Sequence, residues 1–102
     1  MAQPLTDEPK NGTRYIYMHH VYVLLSGKDR GWYIGYTENP FRRIEEHNSG
    51  KNVSTMLRRP WKLIYFEAYL DKRDALGRER FLKSGSGHRF LKKQLRHFLG
   101  IE

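Results

Sequence analysis

Residues 21–37 read Val21-Tyr22-Val23-Leu24-Leu25-Ser26-Gly27-Lys28-Asp29-Arg30-Gly31-Trp32-Tyr33-Ile34-Gly35-Tyr36-Thr37. Two runs of β-branched and aromatic residues flank the turn-forming stretch Gly27 to Gly31, which is the pattern of an antiparallel hairpin. Alternation puts Tyr22 with Leu24 on one face of the first strand, and Tyr33 with Gly35 on one face of the second. Gly35, lacking a side chain, is expected to leave space beside Tyr33 for a ligand's backbone.

Downstream, Asn39 and Pro40 supply an N-cap and a first helical position, and Gly50 a stop, so Pro40 to Ser49 reads as a helix anchored by Phe41 and Ile44. Arg43 and His47 lie four apart and share a side near that apolar stripe, away from Arg42 and Glu46. The connection from Gly50 to Pro60 is longer than usual and carries Lys51, Ser54, Thr55, Arg58 and Arg59, which are expected to contact nucleic acid. Trp61 to Leu70 is nearly apolar on both alternating faces, as a strand covered on both sides would be, and completes a three-stranded sheet. Lys72 to Ser84 reads as a helix with Ala75, Leu76 and Leu82 as its stripe, and Glu79 falls inside that stripe. After Gly85-Ser86-Gly87, the residues Leu91, Leu95, Phe98 and Leu99 mark a final helix, with Arg89, Lys92, Lys93, Arg96 and His97 on its other side. Residues 1–17 read as a mobile tail, with Tyr15-Ile16-Tyr17 open as an extension of the first strand, and residues 18–100 as the domain.

A chain of 102 residues holds one modest core. The absence of cysteine excludes disulfides, thiolate metal sites and cysteine nucleophiles. No apolar run approaches the ~20 residues of a spanning helix, and the N-terminus has no secretory core, so the reading is a soluble, cytoplasmic protein with no membrane partner. No obligate protein partner is evident. Nineteen Lys and Arg against eleven Asp and Glu give a net charge of +8, which points to a polyanion, DNA first with RNA left open.

Order and spacing from His20 to Leu99 resemble the GIY-YIG nuclease family, and most closely its compact single-domain bacterial members, which are related to the nuclease domain of the excinuclease. The first motif stands as His20-Val21-Tyr22, with its glycine replaced, and the second is complete as Tyr33-Ile34-Gly35. Arg43 lies ten residues after Tyr33, and His47 matches a position that carries Tyr or His in relatives. The resemblance implies an α/β (α+β) fold, a three-stranded antiparallel sheet flanked by about three helices, acting as a metal-dependent DNA endonuclease of low sequence specificity, structure-selective in repair or recombination. Glu79 matches the helical glutamate that holds a divalent metal, here Mg2+ with Mn2+ as the alternative. A hard cation of this kind takes few protein ligands and keeps its waters. Arg43 would clamp a phosphate oxygen with its planar fork. Family members have been read with either tyrosine as the base; here Tyr22 is assigned that role, with Tyr33 orienting water and phosphate and His47 relaying the proton. Tyr36, where some relatives have lysine, joins Arg89, Lys92 and Lys93 as a nucleic-acid contact. Relatives also carry an asparagine on the last helix; none follows Asn52 here, and His88 or Gln94 are the candidates to replace it. The competing reading is a catalytically weak or inactive nucleic-acid-binding module on the same scaffold.

Overall fold

The computed structural model describes residues 18–101; the tail assigned to residues 1–17 lies outside the described residues. Strand β1 (His19–Ser26) pairs antiparallel with β2 (Trp32–Thr37) across the hairpin. Helix α1 (Pro40–Ser49) follows, then a 3₁₀ turn at Met56–Arg58 and strand β3 (Trp61–Tyr69). The chain continues with helices α2 (Lys72–Lys83), α3 (Gly85–Gln94) and α4 (Arg96–Leu99). The antiparallel sheet has the order β2-β1-β3, so β1 is central. The result is the α+β architecture that the sequence predicts.

That order corrects one expectation. The strand covered on both sides is β1, whose Val21, Tyr22, Val23 and Leu24 are at most 1% exposed, whereas β3 is an edge with Lys62, Phe66 and Ala68 open to solvent. A continuous apolar run marks a doubly covered strand. Both runs in this chain qualify, and only pairing decides between them.

The two faces of β1 carry two cores. Val21, Val23 and Ile34 pack with Ala75 and Leu82 of α2 and Leu91 of α3, while Tyr22 and Leu24 pack on the other face with Trp61, Tyr33, Ile44 and Leu63. Helix α1 closes the second face. Its N-cap Asn39 accepts from the Arg42 amide, and Gly50 ends it in the left-handed region at φ 85°.

Gly85-Ser86-Gly87 is not a linker but the first turn of α3. Ser84 ends α2 and caps α3, accepting from the Gly87 amide at 3.1 Å while donating to the Phe81 carbonyl at 2.6 Å. A Cβ on Gly87 would collide with that carbonyl oxygen and with the Leu82 backbone, so the close junction of α2 and α3 requires glycine there. The single final helix expected from the periodicity is broken at Leu95, which separates α3 from α4. Glu67 of β3 fixes α2 by a two-pronged ion pair with Arg78, at 2.9 and 3.0 Å, and also accepts from the Tyr65 and Tyr69 hydroxyls. Burial opposes its ionisation, but these donors outweigh burial and hold the carboxyl below its usual range.

Candidate active site

Tyr22 stands in the middle of the central strand, and its ring crosses the hairpin over Gly35, its register partner on β2. A Cβ built at Gly35 would sit 2.5 Å from the Tyr22 hydroxyl oxygen and 2.7 Å from Cζ. The space that glycine leaves is therefore occupied by Tyr22, which corrects the expectation that a ligand's backbone fills it.

The Tyr22 hydroxyl meets Nε2 of His47 at 2.9 Å, and Nδ1 of the same ring meets the Thr55 hydroxyl at 2.8 Å. Thr55 Oγ1 also reaches the Asn52 carbonyl at 3.3 Å. A carbonyl only accepts, so Thr55 donates to Asn52 and accepts from His47 Nδ1–H, which leaves the Nε2 lone pair to accept from Tyr22. The four groups form a directed chain from Tyr22 through His47 and Thr55 to Asn52. Tyr22, His47 and Thr55 are each at most 1% exposed.

Burial sets the charge states along this chain. It pushes the Tyr22 phenol up to about 12, against the opposing pull of Arg43, with Tyr33 and Glu79 adding smaller upward pushes. It pushes the His47 imidazole down to about 4, helped by the Arg43 charge. Tyr22 is thus a neutral donor and His47 a neutral acceptor at pH 7.

The remaining predicted residues surround this pair. The Tyr33 ring lies 4.9 Å from His47 and 6.2 Å from Tyr22, centroid to centroid. Arg43 is near enough to act on both Tyr22 and His47, and its Nη1 pairs with Glu46 at 2.9 Å. Glu46 therefore turns toward Arg43 rather than away from it, a correction to the helical-wheel reading. Glu79 acts on Tyr22 from α2; its carboxylate, 17% exposed, is held by Lys83 at 3.0 Å, not by Arg43 or Arg78. Among the described residues no three His, Asp or Glu side chains cluster in a way that could hold a metal by themselves. One partly open carboxylate is compatible with a hard divalent cation that keeps most of its waters, so Glu79 is the residue that would hold one.

One residue of the basic loop departs from its expectation. Thr55 is buried and cannot touch nucleic acid. Arg58 grips Asp29 at 2.6 and 3.2 Å, holding that carboxyl well below the usual range, and lies 4.7 Å over the Trp61 ring. Arg59 donates to the carbonyls of Met56 and Asn48, and Ser54 to the Asn52 side chain. Lys51, Ser54 and Arg59 remain exposed, and the loop also braces Thr55 against His47. Asn48 adds to it by bridging the backbone of Trp61 through both ends of its amide, at 2.6 and 2.9 Å. Tyr36 faces away from the tyrosine cluster with Ile34, its hydroxyl 2.6 Å from His19 Nδ1. His88 packs against Trp32 on that opposite face, and Gln94 is exposed at the end of α3, so neither supports Tyr22. Arg89, Lys92 and Lys93 are exposed along α3.

Thr55 and Asn52 are the members that sequence reasoning misses. The available signal is chemical: an inward histidine has two nitrogens, Tyr22 serves one, and the loop directly after its helix must serve the other.

Comparison with known proteins gives the family of the chain. The model of the GIY-YIG catalytic domain matches residues 18–93. The chain is 38% identical over 66 residues to "UPF0213 protein YazA" of Bacillus subtilis, covering 64% of this chain and 67% of that one. It is 41% identical over 75 residues to "UPF0213 protein SH2523" of Staphylococcus haemolyticus, covering 72% and 90%. A "UPF0213 protein" of Lactiplantibacillus plantarum is 39% identical over 84 residues, covering 79% and 82%. Nearly all of the described residues are matched, with both tyrosines, Arg43, His47 and Glu79 inside the range, and the chain belongs to the GIY-YIG family of nucleases.

Proposed function

We propose that this protein is a divalent-metal-dependent DNA endonuclease of low sequence preference. The observation that carries the reading is the convergence of Tyr22, Tyr33, Arg43, His47 and Glu79 around one buried, oriented hydrogen-bond chain. Phosphodiester hydrolysis needs a water deprotonated, charge on the phosphoryl oxygens neutralised and the leaving oxygen stabilised.

Two ways of removing the water's proton differ in where the proton ends. A standing Tyr22 phenolate at pH 7, with the phenol near 12, costs about 7 kcal/mol. Passing the proton through a neutral Tyr22 to His47 avoids a standing phenolate but leaves the proton on an imidazole near 4, a weak acceptor that a DNA phosphate nearby strengthens by favouring imidazolium. The relay needs no standing phenolate: the Tyr22 oxygen takes the water's proton as its own passes to Nε2. Thr55 keeps the Nδ1 proton in place throughout. Arg43, 31% exposed, presents its free N–H groups to a nonbridging oxygen, and the Tyr33 ring bounds the water's approach. Glu79 would hold the metal, which when bound supplies positive charge to the phosphoryl and leaving oxygens.

The test is incubation of the purified protein with branched, nicked, single-stranded and duplex DNA in Mg2+ or Mn2+, beside Glu79→Ala and Tyr22→Phe. Cleavage by the natural chain that both variants reduce by at least a hundredfold is expected. Binding without cleavage, identical in all three proteins, would leave only the nucleic-acid-binding module.

A further inference from the structure

Strand alternation sends Trp32 to the face of β2 opposite Tyr33. There Ile34 is sealed into the helical core, but Trp32, at the strand's start, is only half-buried. Its ring stands 5.4 Å from that of His88 on α3, and the two form one wall of an open groove of about 360 Å³. Leu25 and Leu99 contribute to its apolar lining, and Arg30 and Lys92 are its charged residues. No carboxylate lines it, and among the described residues neither Arg30 nor Lys92 is in an ion pair.

Arg30 gives the groove a second mark. It is the one non-glycine residue at positive φ among the described residues, at 63°, in the hairpin position where glycine or asparagine is usual. The backbone bonds Ser26 N to Gly31 O and Arg30 N to Ser26 O, at 2.8 and 3.0 Å, fix that turn. A strained position thus carries a free guanidinium at the mouth of an aromatic, acid-free groove.

We propose that this groove is a binding subsite for one unpaired nucleotide, its base against Trp32 and His88 and its phosphate on Arg30 and Lys92. An aromatic platform next to cations binds single strands with little regard to sequence, because every base has a stacking face. A paired base cannot enter it. Because β2 is an edge of the sheet, a strand passing over that edge can touch both this groove and the tyrosine face. The inference rests on the nucleic-acid reading above and narrows it to substrates with an unpaired segment next to the cleaved bond.

The experiment is a titration without divalent metal, so that nothing is cut, using a short oligothymidylate and a blunt duplex of equal length. The readout is the two indole N–H signals in a nitrogen-correlated NMR spectrum. Trp61, 3% exposed with its indole donating to the Thr55 carbonyl at 3.0 Å, packs on the tyrosine face and reports binding there. The single strand is expected to shift the Trp32 signal, and the duplex to leave that signal nearly still. Trp32→Ala should weaken single-strand binding about tenfold and duplex binding less than twofold. Arg30→Gly suits the turn and preserves the fold; it should lower the slope of log affinity against log salt by about 0.7 for the single strand. An unmoved Trp32 signal at saturation, or equal losses for single strand and duplex in both variants, overturns the proposal. Cleavage lost in Glu79→Ala alongside a silent Trp32 would leave the nuclease reading standing and remove this one.

Discussion

Gly35→Ala is the substitution that most directly tests how the candidate site is built. In an ordinary strand, alanine is more stable than glycine by about 0.5–1 kcal/mol, through the entropy of the unfolded chain. Here the added Cβ would lie 2.5 Å from Tyr22 Oη, 2.7 Å from Cζ and 3.0 Å from Cε1, where ordinary contact begins near 3.4 Å. The ring must retreat by up to about 1 Å within a packed core, which costs about 1–3 kcal/mol. Retreat also stretches the 2.9 Å bond to His47, and a buried hydrogen bond contributes about 1 kcal/mol more. The net expectation is a loss of about 1–3 kcal/mol, or roughly 5–20 °C in Tm for a domain of this size. Urea unfolding at pH 7 measures it as a lowered midpoint at unchanged slope, and the His47 ring nitrogens in an NMR spectrum report whether the bond to Tyr22 survives. Stability equal to or above that of the natural chain, with the His47 signals unmoved, would refute the packing argument, because the sign itself would be wrong.

Gly77→Ala should have the opposite sign: inside α2 its Cβ would meet only the Arg80 guanidinium at 3.8 Å, so a gain of about 0.5–1 kcal/mol is expected in the same urea assay. Thr55→Val removes the acceptor for His47 Nδ1–H and should cost about 1–3 kcal/mol while changing the ring's tautomer balance by nitrogen NMR; Thr55→Ser should restore both. Stability should fall as pH drops from 7 to 5. His47 titrates near 4 when folded and 6.5 when unfolded, so the unfolded chain binds more protons in that window. The contribution is complete above pH 6.5 and is lost toward pH 4 by about 2 kcal/mol at pH 5, and His47→Gln should flatten this slope in unfolding curves at the two pH values.

Local chemistry made the hairpin, both caps of α1 and the inward glutamate legible in the sequence, because each depends on residues within one or two turns of one another. What escaped depends on which distant segments meet. The run from Trp61 is as apolar as the run from Val21, and nothing local says that one pairs on both sides and the other at an edge with its Phe66 and Ala68 exposed. Thr55 looked like a loop residue among cations. Its burial follows from Arg58 closing on Asp29 and Asn48 bridging Trp61, contacts across 29 and 13 positions. Gly85-Ser86-Gly87 carried the composition of a linker, and only the packing of Gly87 on Phe81 and Leu82 shows why a helix begins there.

The role of Gly35 was within reach of the sequence, and the reason concerns the motif itself. Register counted back from the turn places Tyr22 opposite Gly35. A tyrosine facing a glycine across a hairpin has one direction in which its ring meets no side chain, and that direction crosses the neighbouring strand. Its hydroxyl is thereby carried beyond the central strand to where α1 supplies His47, although its Cα lies in the most buried part of the sheet. The tyrosine of the first motif and the glycine of the second thus form one structural unit: the glycine admits the ring, and the ring delivers a neutral hydroxyl to a neutral imidazole. His20 stands where that first motif would carry its own glycine, buried with Nδ1 unpartnered and with its ring 5.9 Å from Phe66. It belongs to the same face as Tyr22 but pairs with Thr37, one step beyond the crossing, so replacing that glycine leaves the Tyr22–Gly35 unit intact.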